Sequence, residues 1–350
     1  MLLEFISIMT LGGEQNASKF FRRKTLLNIV TIASILFIAL VANSLGVKVT
    51  NYLAAFVIII LILAIASYIS YSLDRKFKNV EARYPMYLLE FLIYLIFVLP
   101  LWVISIITSF STDNNLLTLL YTDAFISFII GISVVNPSLQ VWKRRSYEIT
   151  DMTFKSEVND LGLKMNVTIS GIKLLDWNRV KTANAFQTGL KKYYVFVSNY
   201  LYENLNRNEA IAVIAHELAH VKKKHLRKTF LFIELVIAGF ANVFLAATLL
   251  PIYPLDTLII MIIAFCGMFS SFYVFLPMLQ RKYEKDADLV ASKYVNPQYL
   301  ADALLKISKL NLIPTQVSKL WNLSHPSIQD RLQYLSLLSK DTTNKGKTKN

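Results

Sequence analysis

Six stretches of the chain, 26–45, 53–72, 86–108, 116–135, 229–250 and 255–279, are apolar around the whole circumference of a helix. About 20 apolar helical residues cross a hydrocarbon core of about 30 Å. A helix without a polar face suits lipid rather than water, so the pattern predicts six membrane spans. The polar positions between them carry a charge bias. Arg22, Arg23 and Lys24 precede the first stretch, and Arg75, Lys76, Lys78 and Arg83 separate the second from the third. Lys143, Arg144 and Arg145 follow the fourth, Lys222, Lys223, Lys224, Arg227 and Lys228 precede the fifth, and Arg281 and Lys282 follow the sixth. The opposite loops hold Lys48, Asp113, Asp256 and little else that is charged. By the positive-inside rule, both termini and the segment 140–228 are expected in the cytoplasm. Glu90, Asp123 and Glu234 fall inside spans, where carboxylates are costly and often functional. Glu90 and Glu234 lie near cytoplasmic ends and read as side chains that snorkel to water.

Between the fourth and fifth stretches the pattern changes to short runs rich in Val, Ile, Thr and Tyr. Segments 147–154, 164–172, 179–187 and 193–198 are predicted strands. Asn206, with Glu209 three positions on, forms a capping-box sequence opening a helix that runs toward His225. Beyond the sixth stretch, 283–294 and 297–310 read as helices, and 341–350 as a polar, disordered tail. The opening Met1-Leu2-Leu3-Glu4 lacks the basic leader of a cleavable signal, and residues 1–20 read as a short interfacial segment.

Composition narrows the class. Hydrophobic residues make up 55% of the 350-residue chain and charged residues only 17%, where soluble domains carry about 25% charged residues. The net charge of +14 does not point to nucleic acid, because the basic residues cluster beside apolar runs instead of lining a groove. A single cysteine, Cys266, excludes an intrachain disulfide framework.

The chemistry concentrates in His216-Glu217-Leu218-Ala219-His220, an H-E-x-x-H sequence on the capped helix. At about 100° per residue the two histidines lie about 40° apart and one turn along, so both imidazoles can bind one ion. Glu217 shares the same broad arc and can take a proton from an attacking water, the arrangement of zinc hydrolases. A metzincin extension is excluded, since Lys223 and Leu226 stand where that pattern needs Gly and His. His225 is nine residues from His216, about 180° around a straight helix, and is expected to face away from the metal. Glu284, in Glu284-Lys285-Asp286-Ala287-Asp288 just after the sixth stretch, is the expected third ligand. Asp288, one turn further on the same face, would hold a ligand imidazole by its free N–H.

These residues resemble the HtpX-type membrane metalloproteases, relatives of the type-1 CaaX prenyl endopeptidases. The likeness runs over about 180–335. It rests on Asn184-Ala185-Phe186, on His216-Glu217-Leu218-Ala219-His220 with His225, on Glu284-x-x-Ala287-Asp288, and on Ser324-His325-Pro326 with Arg331. The resemblance implies zinc, one ion per chain, on His216, His220 and Glu284, with Glu217 as general base and Asp288 in support. It further implies that Asn184 and Ala185 offer backbone to an extended substrate. His325 and Arg331 would lie at the rim of the site, His325 either steadying an oxyanion or shaping a His-Pro turn. The span count matches neither group, which leaves the subfamily open.

The expected fold is therefore an α-helical multi-pass membrane protein of about six spans with a zincin-like α+β cytoplasmic catalytic domain. Its parts are a four-span region 1–139, an insert 140–228 carrying H-E-x-x-H, two spans in 229–280, a helical part 281–337 with the third ligand, and a basic tail 338–350. The expected activity is zinc-dependent cleavage of unfolded or damaged membrane proteins at the cytoplasmic face. CaaX-type processing is the alternative within enzymes. A metal-binding scaffold is disfavoured because it needs no Glu217, and a transporter because no Gly/Pro-interrupted spans pair between two halves.

Overall fold

The computed structural model describes residues 2–44, 49–85, 87–88, 146–189, 193–249, 253–315 and 326–347. The chain divides into two compact units, one of Met1–Arg22, Val135–Thr229 and Val274–Asn350, the other of Arg23–Val134 and Phe230–Tyr273. Helices α1 (Leu2–Ser44) and α2 (Val49–Lys78) come first in the sequence. Helix α1 runs through the residues read as a separate interfacial segment. Buried Ile59, Leu63, Ala66, Ser67, Ser70 and Asp74 recur at three- and four-residue spacing and form one face of α2. Lys24 donates to Ser70 Oγ at 2.7 Å and to Asp74 Oδ2 at 2.8 Å, giving this charged end a partner. Two stretches among the described residues are helical, long and apolar enough to cross a membrane, Val57–Lys78 and Leu258–Ala291. The stretches expected to span at 86–108 and 116–135 lie almost wholly outside the described residues.

The unit that includes Val135–Thr229 and Val274–Asn350 holds a four-stranded sheet of order β1-β2-β4-β3. Its strands are β1 (Ser146–Glu148), β2 (Ile169–Leu175), β3 (Ala185–Thr188) and β4 (Tyr193–Ser198). The β2–β4 pair is parallel and the flanking pairs are antiparallel, which leaves β3 at an edge. The run 147–154 is not one strand. Asp151 accepts from Phe154 N at 2.9 Å and caps a helix, α3 (Met152–Lys164). Phe154, Val158 and Leu161 follow at helical spacing and enter the core, a period masked in the sequence by the β-rich residues just before it.

After a short α4 (Asn199–Asn204), helix α5 (Arg207–Lys222) forms the centre of this unit. Its capping box is complete: Asn206 Oδ1 accepts from Glu209 N, and Glu209 Oε2 accepts from Asn206 N, both at 2.9 Å. Ala212, Ala215 and Ala219 are fully buried along it, as are Ala287 and Ala291 of α8 (Leu276–Ala291). Small residues at a helix contact allow the axes to approach closely, and these two helices carry the candidate site. Between them in sequence lie α6 (His225–Leu249) and α7 (Pro254–Ser270), with a π-helical turn at Ser271–Phe275 leading into α8. Helices α9 (Pro297–Leu310) and α10 (Ile328–Lys347) complete the element order. Leu300, Ala303 and Leu335 from these helices reach the same core as Ile214 and Leu218.

Candidate active site

Helix α5 presents His216, Glu217 and His220, and α8 presents Glu284 and Asp288. The ligand atoms of His216, His220 and Glu284 all lie within 4.8 Å of one another. The imidazole Nε2 atoms are 3.1 Å apart, His216 Nε2 is 3.4 Å from Glu284 Oε2, and His220 Nε2 is 3.5 Å from Glu284 Oε1. Zinc bonds of about 2.0–2.2 Å at tetrahedral angles require ligand separations of about 3.3–3.6 Å. Both nitrogen–oxygen separations fall in that range and the nitrogen–nitrogen one is slightly shorter at 3.1 Å, and two nitrogens with one oxygen are the donor chemistry that zinc takes.

Each corner has a backing group. Asp288 is fully buried, and its Oδ1 lies 2.8 Å from His216 Nδ1. Arg331 of α10 grips the same carboxylate twice, Nε to Oδ2 at 2.8 Å and Nη2 to Oδ1 at 2.7 Å. The Tyr334 hydroxyl donates to Asp288 Oδ2 as well. Arg331 Nη1 lies 3.4 Å from Glu284 Oε2, so one guanidinium serves both carboxylates on α8. Behind the other histidine, His225 Nδ1 lies 3.0 Å from His220 Nδ1, and its ring stacks on Tyr283 at a centroid distance of 4.2 Å.

The charges are strongly coupled. Burial opposes a proton on His216, but the hydrogen-bonding and charge of Asp288, then of Glu284, override it and push the pKa up to about 10. Burial, and then the charge of His216, push His220 down to about 3. Burial of Asp288 works against its charge, yet Arg331 and His216 hold it well below the usual carboxylate range. Glu217 is partly exposed, but its surroundings are dense enough that burial pushes it up to about 7. A carboxyl at that value could take and return a proton near neutrality. Its carboxylate accepts from the Gln187 main-chain N–H, which places it against the β3 edge.

Several positions differ from the sequence reading. Asn184 does not offer a free backbone: its N–H donates to Ser198 Oγ at 3.0 Å and its C=O accepts from Ser198 N at 2.8 Å. In an antiparallel pair alternate residues face outward, and the register makes these Ala185 and Gln187. Arg331 is buried behind the ligands, 6% exposed, and not at a rim. His325 lies outside the described residues. His225 does not face away, because α5 stops at Lys222 and Lys224 turns the chain in a left-handed conformation at φ 56°. The 180° estimate assumed a straight helix, and no glycine marks the break. Tyr334 and Gln187 were not singled out; only the i, i+3 spacing of Tyr334 from Arg331 hints at a shared face.

Two histidines one turn apart in an H-E-x-x-H sequence and a carboxylate from a second helix form a group that could hold one metal ion. Residues 155–338 match peptidase family M48 as a family. The chain belongs to that family. The human CAAX prenyl protease 1 homolog is 30% identical over 155 residues, covering 39% of this chain and 32% of the relative. Protease HtpX of Legionella pneumophila (strain Lens) is 28% identical over 166 residues, covering 44% of this chain and 57% of the relative. The match thus takes in between a third and somewhat over half of these relatives' lengths. Among solved structures, S. mikatae Ste24p shares the fold with a TM-score of 0.62 at 20% identity, over 79% of this chain and 72% of that one.

Proposed function

We propose that this protein is a zinc-dependent endopeptidase of a membrane that cuts extended, locally unfolded polypeptide at the cytoplasmic face. The observation that carries the reading is the His216–His220–Glu284 triangle with Glu217 beside it at the edge of β3. His216, His220 and Glu284 would hold the zinc, which when bound would supply Lewis-acid chemistry. Glu217 takes the attacking water's proton and delivers it to the departing amine. The outward main chain of Ala185 pairs with a substrate strand, an interaction any extended peptide can make, so selectivity is loose. Folded proteins are spared because their backbone groups are already paired.

The membrane setting completes the reading. The chain crosses the membrane six times in this reading, four times before the insert 140–228 and twice after it, and a zincin-like domain assembles from 140–228 and 281–337 on the cytoplasmic side. Helix α7 supports this with Leu258, Ile262 and Ile263 exposed, side chains that water would disfavour and lipid accepts. The relatives named CAAX prenyl protease 1 support a second reading, in which the substrate is a prenylated CaaX peptide. Cleavage of unfolded casein, a destabilised membrane protein and a farnesylated CaaX peptide by one preparation separates the two. We expect casein and the membrane protein to be cut with no need for the prenyl group. Turnover of the farnesylated peptide alone, with none of its unprenylated twin, would overturn the quality-control reading.

A further inference from the structure

His225 takes no part in the mechanism above, yet it is buried, 3% exposed, in contact with one of the ligand histidines. We infer that His225 is a positioning residue that fixes the tautomer and orientation of His220, and this rests on the metal-site reading. To bind an ion through Nε2, a neutral imidazole must carry its proton on Nδ1. A buried N–H needs an acceptor. The atom facing His220 Nδ1 is His225 Nδ1, 3.0 Å away. His225 therefore accepts, is neutral, and carries its own proton on Nε2.

That second nitrogen records the cost. His225 Nε2 is buried without a hydrogen-bond partner among the described residues. A buried, unanswered donor is destabilising, so packing alone would be better served by an aromatic ring with no polar atoms. The ring does pack: it lies nearly parallel to Tyr283, 10° between planes. Tyr283 directly precedes Glu284, so the group that backs the second ligand leans on the helix that brings the third. The two histidine ligands are thus supported differently, His216 by a carboxylate and His220 by an imidazole stacked on α8. Groups that orient metal-bound histidines in this way change metal affinity by about 10–100-fold when removed.

The test separates acceptor from ring. His225→Asn keeps an acceptor oxygen near the position of Nδ1 and loses the stacked ring, whereas His225→Phe keeps a ring and loses the acceptor. His225→Ala removes both without adding bulk. Zinc affinity of the full-length protein in detergent is measured by chelator competition, with the melting temperature of each metal-free variant checking the fold. We expect His225→Asn to bind within a few-fold of the unmutated protein, and His225→Phe and His225→Ala to bind about 10–100-fold more weakly. Unchanged affinity in His225→Phe, or equal weakening in His225→Asn and His225→Phe, assigns His225 to packing and overturns the inference. Failure of the unmutated protein to bind zinc would instead remove the metal-site reading, a separate outcome.

Discussion

Glu217→Gln is expected to fold, hold its zinc and lose peptide-bond cleavage by about 10²–10⁴-fold, the range ascribed to a positioned proton-transfer group. The substitution keeps the volume and replaces a carboxylate that can take a proton with an amide that cannot. Glu217 is not one of the three ligand atoms in the triangle, so metal content should not follow activity down. Zinc content and casein turnover, measured on one preparation, check both halves. Zinc loss in parallel with activity would make Glu217 a ligand and leave the site without its base.

Arg331→Met is expected to have the largest effect on stability. It strips the fully buried Asp288 carboxylate of both guanidinium bonds and leaves it facing only His216 and Tyr334. Breaking a buried pair from one side costs about 3–5 kcal/mol, although Tyr334 would still donate to the stranded carboxylate. Because Asp288 holds His216 and Arg331 also faces Glu284, zinc binding should weaken as well. Asp288→Asn combined with Arg331→Met removes the charge along with its partner, and should recover most of the stability while zinc affinity stays low. The sign with pH follows from the depressed pKa of Asp288. The pair's contribution is fully present above the ordinary aspartate range near pH 4 and is lost as pH falls from there toward the much lower folded value. Thermal melts of the metal-free variants across acid pH measure both effects. Equal stability of Arg331→Met and the unmutated protein at neutral pH would rule out the buried pair.

What the sequence disclosed, and what it hid, divides along physical lines. The pairing of His216 with His220 was legible because it depends on helical period alone, i and i+4 on a capped helix, and Glu284, midway along α8, was legible as an acidic run following the sixth apolar stretch. The capping box at Asn206 was legible for the same reason, since both partners lie within one turn. Groups that reach the site through non-local packing were misread or unread. Nothing local in Arg331 distinguishes a rim cation from one buried against Asp288, 43 residues away. His225 was misplaced because one lysine adopts a left-handed conformation that Lys rarely takes and sequence rarely signals. The edge of the sheet was legible, but which residues face outward depends on register, and Asn184 and Ala185 exchange roles with a one-residue shift. Helix α3 was lost where a strand-like run adjoined its cap.

The most direct test of the metal centre is zinc per chain in the purified unmutated protein and in Glu284→Ala, measured by elemental analysis after dialysis against buffer without metal. Glu284 is the one proposed ligand from a second helix, so it carries the claim that α5 and α8 together form the site. The expected result is one zinc per chain in the unmutated protein and close to none in Glu284→Ala. Full zinc in Glu284→Ala would contradict the account, because two histidines on a single helix would then suffice and the triangle would not be the site.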